Sequence, residues 1–581
     1  MQFRTPFHVE QGVIFDSDGR KVKLWGVNYY VPFNHNYCNI EELGKDHFAA
    51  IDEDLRHFEM LGVDFIRMHL YDREISDPHG NIVENHQMEV FDYLVEETEK
   101  RGIYLMITPI VWWNTVKNQL QMDREYAYWH IGSGQAFGFS NFYSKDGLLW
   151  DTEALECQKR YFRGLFARKN HFSGKRLDEY SNIAAIELCN EMDPPNLWML
   201  NDPDTFDKQG FWQFSHGEQL RKLIGIWEEY KAGKKGTDAE LLDSFNCELL
   251  ERYGRTMLAV VDEFFQGRVL RGMFGSYNGI LQERQRDLFS KLGIELPTFG
   301  TYLNADNFDS TNTDRVNHLA MAQRWYEDVK LQDYGNFGKV VYEFDATGTQ
   351  NGYPCAAMAA AYAKFGVQMA AYFTYTPAAV AAWNPGWLVH YLSLPHTPRK
   401  AAAFAAAGAL FRSNSPETPL TMEEGQWTGK DYKIVREGDC VVYRDAGKMI
   451  FSNSDDTEPT DRDALAEILG HGTGTVAACD GNGCYYLKKS DDKTWKLVLF
   501  PDQKYLRDPA RGKIYRGMAN RYISCLTEPP VSQLMERKIR FEFRLAKVRT
   551  CLSADGVSYL PDDCGNGTLT LPAGSYTLFC E

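Results

Sequence analysis

The sequence predicts an α/β chain, a closed (β/α)8 barrel over residues 1–412, followed by a smaller all-β domain over 413–581. Three observations predict it. Between about residue 20 and residue 412, short apolar runs alternate with longer stretches of helical periodicity, the pattern of a parallel βα architecture. Helical stretches end at a glycine just ahead of the next apolar run. Beyond Ser413 the texture becomes short alternating runs set off by turn signals. A chain of 581 residues is also too long for one hydrophobic core.

Eight strand candidates follow in order: Lys23–Tyr30, Asp64–Leu70, Tyr104–Val111, Ala184–Asn190, Val269–Gly275, Thr298–Leu303, Val340–Phe344 and Met369–Tyr375. They are near-continuous apolar runs, as strands covered by helices require. Helices fit between them. Asp52–Leu61 stops at Gly62, and Glu89–Lys100, with Val90, Tyr93, Leu94 and Val95 on its apolar face, stops at Gly102. Two connections are too long for ordinary βα loops, Trp112–Trp150 and Met192 to about Asp243. Both follow strand C-termini, where barrels build their sites, and long walls there fit a pocket rather than an open cleft. The Ala-rich stretch Ala401–Phe411 reads as a helix, too short to span a bilayer. Asn414–Pro419 is the expected linker. Runs such as Tyr432–Arg436, Cys440–Arg444, Trp495–Phe500, Lys538–Phe543 and Ser575–Phe579 then read as a β-sandwich.

A net charge of −17 disfavours nucleic acid and anionic membrane as partners. The N-terminus shows no basic segment leading into an apolar one, which fits a cytoplasmic protein, although a chain with its leader removed reads the same. The 12 cysteines are scattered, as reduced buried thiols are; seven lie beyond residue 415, so a disulfide or two there stays open. Cys479 and Cys484 lack the companion pair that a zinc site needs, and no metal or other cofactor is expected.

Two strands end in a carboxylate. The fourth runs into Asn190-Glu191 and the seventh into Tyr342-Glu343-Phe344. Retaining hydrolysis of a glycosidic bond needs two carboxyl groups about 5–5.5 Å apart, one to protonate the leaving oxygen and one to attack the anomeric carbon. Two strand ends facing each other across a barrel mouth can supply them. A lone strand-end Glu is more often solvated or salt-bridged, so the joint placement carries the reading. Glu187, within the fourth strand, fits an interior layer or a buried pair. Asp193 and Asp345 lie beyond strand ends, where they could serve the rim.

This arrangement resembles clan A of the glycoside hydrolases, a TIM-barrel clan, and family 5 above all. Asn190-Glu191 is the only Asn-Glu dipeptide in the chain. Arg67 ends strand two, Tyr302 follows from strand six, and Gly26-Val27-Asn28 matches the strand-one motif. The resemblance spans roughly residues 20–412, apart from the two long loops. It implies Glu191 as general acid then base, Glu343 as a nucleophile placed by Arg67 and Tyr302, and Asn190 as a hydrogen-bond partner of the sugar 2-hydroxyl. It places Asn28 among the residues around the sugar. Two departures stand out. Strand three leads into Trp112 and Trp113 rather than a histidine. Strand eight reads Tyr372-Phe-Thr-Tyr375, with Trp383 and Trp387 only in the loop beyond. Trp112, Trp113, Tyr375, Trp383 and Trp387 are therefore the candidate sugar-contacting aromatics.

The expected activity is an exo-acting β-glycosidase on short oligosaccharides, of β-mannosidase, β-glucosidase or β-galactosidase type. An endo-acting mannanase or glucanase is the alternative, to be separated by product size. A non-catalytic sugar-binding barrel would have no use for both Glu residues. A metal-dependent hydrolase would want His-x-His after strand one, and the chain has none. No glycine-rich phosphate loop and no serine elbow occurs. A homo-oligomer is compatible with this reading, and the β-domain would serve packing or assembly.

Overall fold

A computed structural model describes residues 3–111, 138–209, 214–304, 313–386, 389–453, 456–510, 524–562 and 567–581. Eight parallel strands close into a barrel in chain order. They are β1 (Leu24–Asn28), β2 (Phe65–His69), β3 (Tyr104–Thr108), β4 (Ile183–Glu187), β5 (Leu270–Ser276), β6 (Leu296–Leu303), β7 (Val340–Ala346) and β8 (Met369–Tyr372). Strand β8 pairs back on β1, with Met369 opposite Leu24. Every predicted strand is present and starts within two residues of its expected position. Strands β3, β4 and β8 stop three residues sooner than expected, because the backbone leaves the ladder to build the mouth.

Outside the strands lie α1 (His47–Leu61), α2 (His86–Arg101), α3 (Thr152–Ala167), α4 (Asp238–Phe265), α5 (Glu283–Leu292), α6 (His318–Val329), α7 (Tyr353–Phe365) and α8 (Pro398–Ser413). Helices α1 and α2 begin earlier than the apolar pattern implied. Asp46 and Asn85 cap them, accepting from the amides of Ala49 and Met88, and Gly62 and Gly102 end them in the left-handed region.

The barrel interior has two layers. Phe65, Met106, Ala185, Leu270, Leu296, Val340 and Met369 form an apolar floor with Phe7, Ile14 and Val22 of the N-terminal segment. The Gln368 side chain ties that segment down, accepting from the Ile14 amide at 2.8 Å and donating to its carbonyl at 2.9 Å. The upper layer is polar: Asn28, Arg67, Thr108, Glu187 and Thr298 are all buried there. Strand alternation produces this change, since Phe65, Arg67 and His69 are spaced by two and share one face of β2.

Strand β7 carries an irregularity that matters for the mouth. Against β6 its pairing steps from Phe299–Val341 to Gly300–Glu343, and against β8 from Ala370–Val341 to Tyr372–Phe344. One extra residue is thus accommodated around Tyr342, a β-bulge that turns two consecutive side chains, Tyr342 and Glu343, into the mouth. Gly300 makes room for it: a Cβ there would lie 2.9 Å from the Tyr342 hydroxyl oxygen.

The Ala-rich helix α8 is buried on nearly every side, which explains its small residues. One side meets Trp25 of β1, whose ring lies 5.6 Å from that of Phe404 and 5.3 Å from that of Phe411; a Cβ on Gly408 would come within 2.5 Å of it. The other side meets the β-region, where Trp427, Ile434, Val441, Ile450 and Leu469 join the barrel's hydrophobic cluster. That region holds an 11-stranded sheet and a 3-stranded sheet, with Phe451, Tyr485, Trp495, Phe541, Phe543 and Leu569 packed together. Its strands are antiparallel except where Lys448–Ser452 pairs with Glu467–His471. The linker at Asn414–Pro419 is pinned, the Lys23 ammonium donating to the Asn414 carbonyl and Lys364 to that of Thr418 at 3.1 Å.

Among the described residues no disulfide joins two cysteines. Among the described residues, no cluster of ligating side chains could hold a metal and no helix is long and apolar enough to cross a membrane.

The Asp439 carboxylate, in the β-region, accepts from the amides of Gly352 (2.9 Å) and Tyr353 (2.8 Å), which start α7. Asp439→Ala should cost about 1–2 kcal/mol, whereas Asp439→Asn, which keeps an acceptor and tolerates the left-handed backbone, should cost less. Denaturation midpoints of the two variants check this.

Candidate active site

Arg67 is the hub. Its guanidinium is fully buried. Nε donates to Glu187 at 2.9 Å, Nη1 to Asn28 at 3.0 Å and to Glu343 at 2.8 Å, and Nη2 to Asn190 at 2.8 Å. Burial works against the cation, and Glu187 and then Glu343 more than reverse that, so it stays charged. Glu187 is satisfied in turn by the hydroxyls of Thr108 and Thr298. The expected interior pairing of Glu187 is therefore present, and Arg67 is its partner.

Glu343 accepts from Arg67 through one oxygen and from the Tyr302 hydroxyl, at 2.5 Å, through the other. His69 Nε2 stands 3.5 Å from the first oxygen. Burial and the nearby Arg67 hold that imidazole neutral. Glu343 itself is pushed up by burial and by Glu191, against the pull of Arg67 and Tyr302.

Glu191 lies beyond β4, not at its end. Two hydrogen bonds carry the backbone past the strand: Leu188 N–H to the Gly272 carbonyl at 3.1 Å, and Asn190 N–H to that of Ile110 at 2.9 Å. Glu191 then adopts φ +45°, an unusual conformation for a residue with a Cβ. Its Oε1 accepts from the Tyr342 hydroxyl at 2.7 Å. Its Oε2 is 3.9 Å from the Lys145 ammonium, which also lies 4.0 Å from Asp193. Burial raises its proton affinity, Lys145 and the Tyr342 hydrogen bond lower it, and Asp193 raises it; the net direction is upward. Tyr342 joins the two carboxyls: its hydroxyl holds Glu191, and its ring lies under the Arg67 guanidinium at 4.7 Å from the ring centre.

Of the sequence-derived candidates, Glu191, Glu343, Arg67, Asn190, Tyr302 and Asn28 converge here. Asn28 needs a correction, since it does not face a substrate. Its Oδ1 accepts from Arg67 and its Nδ2 donates to the Tyr342 carbonyl at 3.0 Å, with both ends buried, so it orients the arginine. Tyr375 also needs one. It is fully buried beside Phe58 of α1, and its hydroxyl is 3.0 Å from His57 Nδ1, because β8 stops at Tyr372 and the alternation behind the prediction breaks. Phe373 takes the forward position, its ring 6.3 Å from that of Tyr302 and 6.0 Å from that of Tyr30. The Trp383 indole donates to the Glu528 carbonyl at 3.1 Å, which seats it against the C-terminal region rather than at the mouth. Trp112, Trp113 and Trp387 lie outside the described residues. Asp345 is a buried partner of Tyr372 (2.6 Å) and His390 (3.0 Å), and Asp193 is a rim partner of Tyr277 at 3.1 Å.

Sequence reasoning missed His69, Tyr342, Lys145 and Phe373. The spacing of two from Arg67 could have found His69. Nothing in the sequence marks Lys145, which comes from the first long insertion.

No protein-family profile and no curated protein sequence matches the chain. Solved structures do resemble it in shape. The endo-beta-1,4-mannanase from Thermotoga petrophila is 14% identical, over 83% of this chain and 95% of that one, with a TM-score of 0.43. The endo-1,4-beta-mannanase from Rhizomucor miehei is 11% identical, over 69% and 99%, at 0.41. The exo-beta-1,4-mannosidase from Opitutaceae bacterium strain TAV5 is 12% identical, over 63% and 55%, at 0.39.

Arg67→Met would strand Glu187 and Glu343 without a counter-charge, and the expected loss is about 3–5 kcal/mol near neutral pH. Glu343, already raised by burial, would then lie further above the unfolded value of about 4.3. Its protonated form fits the fold, so the deficit against wild type should shrink as the pH falls toward 4 and grow as it rises. Denaturation midpoints of both proteins between pH 4 and pH 8 check the sign.

Proposed function

We propose that this protein is a retaining β-glycoside hydrolase acting by double displacement, with Glu343 as nucleophile and Glu191 as acid/base. The observation that carries the reading is the unequal environment of two carboxyls in one barrel mouth, Glu343 buried and Glu191 partly exposed. Glu343 has donors on both oxygens, from Arg67 and Tyr302. Glu191 has one neutral donor, Tyr342, and an ammonium beyond hydrogen-bond range. A pair of this kind titrates as a unit, and the first ionisation goes to the member with the better donors. The proton then stays on Glu191, where a general acid needs it, and Glu343 is the ionised partner that attacks the anomeric carbon. In the second step Glu191 takes a proton from water as that water's oxygen displaces Glu343.

We further propose exo action on short oligosaccharides. The two long insertions support it by packing on each other: Trp150 joins Met199, Phe206, Leu220, Trp227 and Phe245 in one apolar cluster. Their described parts bring Lys145 and Asp193 to the Glu191 side of the mouth, and a mouth enclosed on that side would suit a short substrate better than a threaded polymer.

Wild type should release single sugars from the end of a short β-oligosaccharide. Glu343→Gly should lose that activity and turnover of an activated aryl β-glycoside, and azide should restore the latter as an α-glycosyl azide. A rescued product of unchanged anomeric configuration, read by NMR, would remove Glu343 from the role.

The pH profile of kcat/KM should be a bell with both limbs above the ordinary glutamate value of about 4.3, because burial raises both carboxyls. Activity rises with pH as Glu343 ionises and falls as Glu191 does. A profile with no acid limb, flat down to pH 4, would contradict the burial argument.

A further inference from the structure

Lys145 has no part in the reading so far, and its environment is unusual. Its side chain is wholly buried, yet among the described residues its ammonium has no hydrogen-bond partner. A buried charge is normally paired and hydrogen-bonded, because leaving water costs several kcal/mol. Two carboxylates stand just outside hydrogen-bond range, Glu191 at 3.9 Å and Asp193 at 4.0 Å. Asp193 is already engaged, with the Tyr277 hydroxyl 3.1 Å from one oxygen and 3.2 Å from the other. Glu191 Oε1 is engaged with Tyr342, which leaves Oε2 as the oxygen nearest the ammonium.

We propose that Lys145 is a positioning residue for Glu191, a built-in counter-charge for the carboxylate that remains once Glu191 has given its proton to the leaving group. The inference rests on the double-displacement reading above. In the first step the Glu191 proton moves to the glycosidic oxygen, the bond from that oxygen to the anomeric carbon breaks, and a bond from Glu343 forms. Glu191 is then an anion in a mostly buried setting, and a shift of about 1 Å brings Oε2 into hydrogen-bond range of the idle ammonium. In the second step the carboxylate must persist long enough to take a proton from water.

The other charged and titratable groups around Glu191 do not supply this. Tyr342 from β7 is neutral, and burial raises its phenol well above the usual range. The Tyr302 phenol is raised in the same way. Asp193 opposes a second anion, and Glu343, bonded to the sugar once Glu191 has lost its proton, carries no charge there. Arg67 is more distant and already serves Glu187 and Glu343. Lys145 is the one nearby cation with free donors among the described residues. Its influence on Glu191 is in the direction the role requires, downward against burial.

The test compares Lys145→Met and Lys145→Arg with wild type, using a dinitrophenyl β-glycoside and a β-linked disaccharide. An opposite charge 4–6 Å away typically shifts a carboxyl by about 1–3 pH units, so in K145M the basic limb of kcat/KM on the disaccharide should move up by about that much. On the activated glycoside, whose departure needs no proton, K145M should lower kcat and KM together by about tenfold with kcat/KM nearly unchanged, since the glycosyl-enzyme accumulates when its base is protonated. K145R, which keeps the cation, should hold its basic limb within about half a pH unit of wild type. A K145M profile that superimposes on wild type, or equal losses of kcat/KM on both substrates, would overturn the inference. If K145M fails to fold, K145R decides alone, and a displaced limb there overturns it. Failure of the hydrolase reading would look different: wild type itself would turn over neither substrate.

Discussion

A single buried cation organises the mouth of this barrel. Arg67 stands on a strand whose neighbours are covered by helices, so its charge is tolerable only where acceptors meet it. Those acceptors come from β1 (Asn28), β4 (Glu187), β7 (Glu343) and the turn after β4 (Asn190). Thr108 of β3 and Thr298 of β6 complete Glu187. Six of the eight strands are thereby tied through one polar layer directly above the apolar floor. Such a layer contributes little net stability against an apolar substitute of the same shape. Its contribution is register, because each carboxylate has one place where its donors are met.

Two departures from regular geometry place the carboxyls around that hub. The bulge in β7 turns Tyr342 and Glu343 to the same side, where regular alternation would have hidden one of them. The extension beyond β4 carries Glu191 into a left-handed backbone conformation, held by rungs to the loop after β3 and to β5 itself. Backbone of this kind costs about 1–3 kcal/mol and persists where its surroundings over-determine it. Tyr342 ties the two together, so a disturbance at one carboxyl reaches the other through a single ring.

The fold was legible because its determinants are local. Buried apolar runs, capped helix starts and Gly62 and Gly102 at helix ends are written in adjacent residues. The carboxyl pair was legible because Arg67, Glu191 and Glu343 fall on, or just beyond, strands that a barrel must bring together. What could not be read depends on places where the local rule breaks. Tyr375 was expected forward by counting along a strand that stops at Tyr372. Asn28 was expected to meet a substrate, but an amide beside a buried arginine is claimed by it. Tyr342 sits one residue from Glu343, where alternation would turn it away; only the bulge turns it back. Lys145 arrives from an insertion whose path no periodicity describes.

The charges left in the mouth bear on what it can stabilise. Arg67 answers Glu187 and Glu343 with one positive charge for two negative ones, and the Lys145 cation lies between Glu191 and Asp193. His69, beside Glu343, is held neutral and adds no further positive charge. In the proposed assignment, with the proton on Glu191, the mouth retains an uncompensated negative charge, and Glu343 would present it to the reacting carbon. In the proposed reaction the sugar ring develops positive charge as the leaving group departs. A preorganised anion favours that state over the neutral substrate, because its field is already in place when the charge appears. On that proposal Glu187 would serve the chemistry through Arg67. Without it Arg67 would belong wholly to Glu343 and would neutralise the carboxylate that it positions.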